Sequence, residues 1–109
     1  MEELISMARQ LGKKLADHER TAKLKAAQKS ITDDPTASQL LQDYQKQVEK
    51  IHKLEQETKP IEPEDKRLLA ELEGKIAANK IFADLTRRQA DFVEMMQKVK
   101  QAIDNELQV

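Results

Sequence analysis

A chain of 109 residues is long enough for one domain with one modest core, and folding it should bury roughly two thirds of its unfolded surface. Two glycines, three prolines, three aromatics and 36% charged residues exclude a strand-rich fold and point to an all-α protein. The net charge of −1 is too balanced for an ordinary nucleic-acid binder, and the absence of cysteine excludes disulfides, thiolate zinc sites and Cys-ligated iron–sulfur clusters within the chain.

The first ten residues, MEELISMARQ, are acidic and lack a continuous apolar run, so no signal peptide is expected. Nowhere do about 18 apolar residues stand together, so no membrane span is expected and the cytoplasm is the default location. The first helix, near residues 3–16, carries Leu4, Ala8, Leu11 and Leu15 as a helical stripe with Ile5 beside it. Gly12 lies inside it, at a cost of about 1 kcal/mol relative to alanine, and permits a close neighbour. Asp17 is expected to end this helix and cap the next, near 18–32, whose stripe of Leu24, Ala27 and Ile31 is thin.

The segment TDDPTASQ is the clearest punctuation in the chain. Pro35 disfavours a helical Asp34, and Asp34 followed by proline makes a good helix start, with Thr36 and Gln39 as an alternative capping box. The third helix, near 36–58, presents Leu40, Leu41, Tyr44, Val48 and Ile51 as its buried face. TKPIEP ends it, because two prolines in four residues leave no room for regular helix. Pro63 starts the fourth helix, near 64–77, with Glu64 and Asp65 at the positive end of its dipole. From there the apolar pattern continues to Leu107, and an unbroken helix would be about 66 Å long, against a radius of gyration of about 13 Å for a compact domain of this size. Asn79, a weak helix former and a good cap, is the natural break before a fifth helix near 80–107. A shift of 45 residues also lays Asp34 on Asn79 and Val48 on Val93, a faint repeat of helix, cap and helix.

The order of these features resembles the YlbF/YmcA family of small helical bacterial regulators. The resemblance runs through LGKKLADHERTAKLKAA, ITDDPTASQLLQDYQKQ and LLAELEGKIAANKIFADLTRRQADFVEMMQKVKQAI, nearly the whole chain. It implies a self-associating helical bundle without enzymatic activity, acting as an adaptor in complexes that influence competence, sporulation, biofilm formation and RNA processing. Some members form a complex that holds iron–sulfur clusters through cysteines, and this chain has none.

Residues that could carry chemistry have structural readings. Glu49 and His52 form a Glu-x-x-His, but a di-iron bundle needs a second copy, and the position 45 residues on reads Glu94 to Gln97. His18 sits at a helix junction without a nucleophile or orienting group. Arg87 and Arg88 stand one turn from Asp84 and Asp91, which favours intrahelical pairs. No catalytic, cofactor-binding or metal residues are assigned, and no small-molecule substrate is expected. Residues 12–29 hold six basic groups against Asp17 and Glu19, a net +4, but no aromatic residue for stacking on bases.

What remains is the apolar arc of the last helix, too wide for one seam. The expected architecture is an all-α five-helix bundle, a single domain over residues 1–109, with a long C-terminal helix. Its expected function is that of a non-catalytic interaction module, a bacterial regulatory adaptor that forms a homodimer or larger oligomer and binds another regulatory protein. Ile81, Phe92, Met95, Met96, Val99 and Ile103, bordered by Arg88, are the candidate interaction residues. The alternative is an RNA-associated factor that binds through the basic 12–29 segment.

Overall fold

Helix stops dominate the architecture. In the computed structural model, which describes residues 1–108, the chain forms α1 (Glu2–Ala16), α2 (Glu19–Asp33), α3 (Pro35–Gln56), α4 (Pro63–Ala78) and α5 (Lys80–Leu107). No strand occurs among the described residues, and no helix is long and apolar enough to cross a membrane. Every helix end lies within two residues of the position expected from the sequence.

Two of the breaks are made by a single Asx residue. Asp34 is extended (φ −90°, ψ 118°), and its Oδ2 accepts the Ala37 amide at 2.8 Å, with Pro35 at the first helical position. Asn79 adopts nearly the same backbone (φ −82°, ψ 125°), and its Oδ1 accepts the amides of Ile81 at 2.9 Å and Phe82 at 3.3 Å. The last apolar stretch is therefore broken at Asn79. The alternative capping box has no place, because α3 already starts at Pro35 and leaves Thr36 inside its first turn, where the Gln39 side chain donates to Asp43.

The first junction differs from expectation. Asp17 ends α1 but does not cap α2, because its backbone stays helical (φ −88°, ψ −4°) and its amide still bonds the Lys13 carbonyl. A cap residue needs an extended backbone to aim its side chain at the next turn. His18 takes the role: its Nδ1 accepts the Arg20 amide at 3.0 Å, which places the ring proton on Nε2. The Thr21 hydroxyl closes the junction by donating to the Leu15 carbonyl at 2.6 Å.

Contacts divide the chain into two compact units, residues 1–28 with the chain from Asp84 onward, and residues 29–83. In the second unit α3 packs on α4. Gln47 and Lys50 meet Asp65, while Asp43 and Lys46 share a groove with Leu68 and Leu72, so the two helices run antiparallel. Their contact has a polar centre. Gln47 and Asp65 are buried, and the Gln47 amide donates to the Asp65 carbonyl at 2.9 Å while Lys50 Nζ donates to the Asp65 carboxylate at 2.8 Å. The expected buried face is therefore corrected: Val48 is 40% exposed, and Gln47, one position away, occupies the interior beside Leu72. Burying an amide is tolerated because a carbonyl receives its proton.

Lys50 holds the Asp65 carboxyl below the ordinary carboxylate range, with lesser help from Gln47 and the Glu62 backbone, while burial pushes the opposite way. A folded value below the unfolded one stabilises the fold above the carboxylate range, and that stability is lost as pH falls through it. Between α3 and α4, Thr58 occupies the left-handed region (φ 54°), where the Lys59 amide bonds the Leu54 carbonyl at 2.9 Å and the Thr58 amide bonds Glu55. This is the position a helix stop usually gives to glycine, and a β-branched residue there is strained.

Two outcomes are expected. Thr58→Gly should raise stability in urea denaturation by about 1 kcal/mol, because it relieves the positive-φ penalty. Asp65→Asn should flatten the fall in melting temperature between pH 6 and pH 3, since the variant lacks the carboxylate whose protonation drives that fall; equal slopes for both proteins would refute this role of Asp65.

Candidate interaction surface

The core is thin. Among the described residues the buried apolar side chains are Ala27, Ile31, Ala37, Leu72 and Met95, and no large side chain is completely enclosed. The chain keeps 8690 Å² of accessible surface, whereas a globular monomer of its mass keeps about 6200 Å².

Most of the uncovered apolar side chains belong to α1 and α5. α1 has the sharpest division between apolar and polar faces of the five helices, yet none of its residues is buried. Leu4 is 63% exposed and Met7 59%, with Ile5 and Leu11 also exposed. The stripe that the sequence offers as core is therefore a surface. On α5, Val93, Met96, Ile103 and Leu107 are exposed, and Phe92 and Val99 are half-buried. Within the first unit, Gly12, Leu15 and Ala16 of α1 and Phe92 and Met96 of α5 line an apolar groove of about 360 Å³, with Thr21 and Lys25 of α2 completing it.

The candidate residues thus separate. Met96 and Ile103 are available to a partner, and Val99 and Phe92 are partly so. Met95 is corrected: at 7% exposure it is one of the few buried apolar side chains and cannot serve as an open docking residue. Its long unbranched side chain fills the chain's own interior. Ile81 is half-buried and lies in the other unit, close to the Asn79 cap. Arg88 is half-buried, with Nε 3.4 Å from the Asp84 carboxylate, and Arg87 pairs with the same carboxylate at 2.9 Å, the intrahelical arrangement their spacing favours.

Arg88 also lines a small polar cavity of about 210 Å³ with His18, Glu19, Arg20, Lys23 and Asp91. Its cations are engaged. Arg20 Nη1 donates to the Asp91 carbonyl at 3.0 Å, and Lys23 lies 2.7 Å from the Glu19 carboxylate, which it holds below the ordinary range. The cavity lining includes no hydroxyl or thiol nucleophile. Of the basic segment, Arg20 and Lys23 are committed in this way, while Lys13, Lys14, Lys25 and Lys29 are exposed. Glu49 and His52 are both exposed on α3, where the His52 ring meets Gln56 at 3.1 Å. No group of three or more potential ligands is placed to hold a metal ion among the described residues.

Comparison with proteins of known structure places this arrangement. A chain in the crystal structure of Bacillus subtilis RicA in complex with RicF superposes with a TM-score of 0.85 at 20% identity, over 97% of this chain and 94% of that one. A protein of unknown function (DUF964) from Bacillus stearothermophilus superposes with a TM-score of 0.70, also at 20% identity, over 97% and 93%. At this identity the likeness establishes the all-α fold. No curated protein matches the sequence. The family model of the YlbF/YmcA proteins, control of competence regulator ComK, matches residues 4–108, nearly the whole chain, and the chain therefore belongs to the YlbF/YmcA family.

Proposed function

We propose that this chain is a non-catalytic regulatory adaptor of the YlbF/YmcA type, acting in the cytoplasm by self-association and by binding another regulatory protein. The observation that carries the proposal is the row of exposed apolar side chains on α5, Val93, Met96, Ile103 and Leu107, on a chain with so little interior. Contiguous apolar surface of this kind is stable in water when another protein covers it. The structural neighbour RicA, itself in complex with RicF, supports protein partners for a chain of this fold.

Covering the α5 face would drive association at about 25 cal/mol per Å² of apolar area. Charges along its edge, among them Lys98 paired to Glu94 at 3.0 Å, would set orientation more than strength. Arg88 would contribute at this border only by leaving Asp84.

Affinity capture from the native host, with the bound proteins identified by mass spectrometry, tests the reading directly. Ile103→Asp and Met96→Asp, at positions 50% and 39% exposed, should leave the helical signal intact and weaken capture about tenfold or more, the effect of removing one central interface contact. Undiminished capture by both variants would rule out this face. Binding of labelled RNA should be absent even at low salt; tight binding that falls steeply with ionic strength would move the function to the basic segment.

A further inference from the structure

The chain has no cysteine, so its sulfur chemistry rests on four methionines. They sit in very different surroundings. Met95 is 7% exposed, whereas its neighbour Met96 is 39% exposed, and Met1 and Met7 are open at 88% and 59%. Of the four, Met96 alone lines the apolar groove of the first unit, one turn after Phe92. Water reaches its thioether there, and a small polar oxidant can reach it by the same path.

The same groove holds a cation without a partner. Lys25 lines it together with Thr21, whose hydroxyl is already committed to the Leu15 carbonyl at 2.6 Å. The Lys25 side chain forms no ion pair or hydrogen bond among the described residues, and the rest of the lining is apolar. A thioether is a weak acceptor, so reduced Met96 gives the ammonium nothing to hold. A sulfoxide oxygen is polar and accepts well.

We propose that Met96 is a reversible oxidation site, converted by hydrogen peroxide to the sulfoxide, which Lys25 then holds in the groove. The sulfur lone pair attacks one peroxide oxygen, the O–O bond breaks, an S–O bond forms and the second oxygen leaves as water. Sulfur gives up two electrons and the peroxide takes them. Two thiols of a methionine sulfoxide reductase system reverse the step, removing the oxygen as water and ending as a disulfide. The product sets a polar group where an adaptable apolar side chain stood, on the face that the adaptor would offer to its partner. A partner group entering the groove must then bury the sulfoxide or part it from Lys25, and either weakens binding. That consequence rests on the adaptor reading, whereas the oxidation site does not. Met95, next in sequence and enclosed, is the internal control.

Dilute hydrogen peroxide, followed by tandem mass spectrometry that resolves the two adjacent methionines, tests the site. In the folded chain Met96 should gain one oxygen about tenfold faster than Met95, the rates should converge in urea, and a methionine sulfoxide reductase should remove the oxygen. A Met7→Leu background leaves Met96 as the one open methionine within the helices. There oxidation should weaken partner capture about tenfold, and a further Met96→Leu change should abolish that sensitivity. Adding Lys25→Ala to the background should deepen the fall in melting temperature on oxidation, because the sulfoxide then lacks its donor. Equal oxidation rates at Met95 and Met96 in the folded chain, or equal falls with and without Lys25, would overturn the proposal. If the oxidised chain captures its partner as well as the reduced one while Met96→Asp does not, the effect on binding is overturned and the adaptor reading stands. If neither change affects capture, the α5 face is the wrong surface, and the oxidation rates with the Lys25 comparison still decide the site.

Discussion

Apolar burial is the scarce quantity in this molecule. Five helices rich in alanine, glutamine and charge supply narrow stripes, and where α3 and α4 meet, the contact is centred on an amide and a carboxylate as much as on Leu72. Such a contact holds because its buried polar side chains have partners; among the described residues no buried side-chain nitrogen or oxygen is left unsatisfied. The same scarcity explains the weight carried by local devices. Asp34, Asn79 and His18 each accept amides at the start of a helix, and the Arg67 guanidinium sits between Glu64 and Glu71 on the exposed side of α4. Exposed pairs of this kind add little individually, and they order the helix surface more than they stabilise the fold.

Function follows from what the thin core leaves uncovered. A well-filled domain of this length would hide Leu4, Met7, Met96 and Ile103. Here they face outward, 39% to 63% exposed, on the two helices that begin and end the chain. These open faces are the observation on which the proposed adaptor reading of this YlbF/YmcA chain rests. The polar cavity around Arg20 and Arg88, by contrast, has its cations engaged with a carbonyl and with carboxylates, which makes it a brace between α2 and α5.

Where the helices begin and end was legible in the sequence because those signals are local. A proline removes an amide and fixes φ, an Asx side chain reaches its own next turn, and both act within four residues of chain. The caps at Asp34 and Asn79, the first turns at Pro35 and Pro63 and the all-α class needed no tertiary information. Even the ion pairs of Arg87 and Arg88 with Asp84 follow from helical spacing. The miss at Asp17 was also local: its backbone stays helical at the end of α1, so the next residue, His18, accepts the first amide of α2.

Which side of each helix faces inward was decided by the tertiary structure. A stripe of period 3.6 says that one face is apolar, but not whether a neighbour exists to cover it. Helix α1 has the clearest stripe and no buried residue, while α3 turns Gln47 inward and Val48 outward because the first turn of α4 arrives with a carbonyl and a carboxylate to be met. Met95 and Met96 are adjacent in sequence and chemically identical, yet one is enclosed and the other open. Their difference is about 100° of rotation around α5, which no composition or spacing records and only the positions of the surrounding helices can assign.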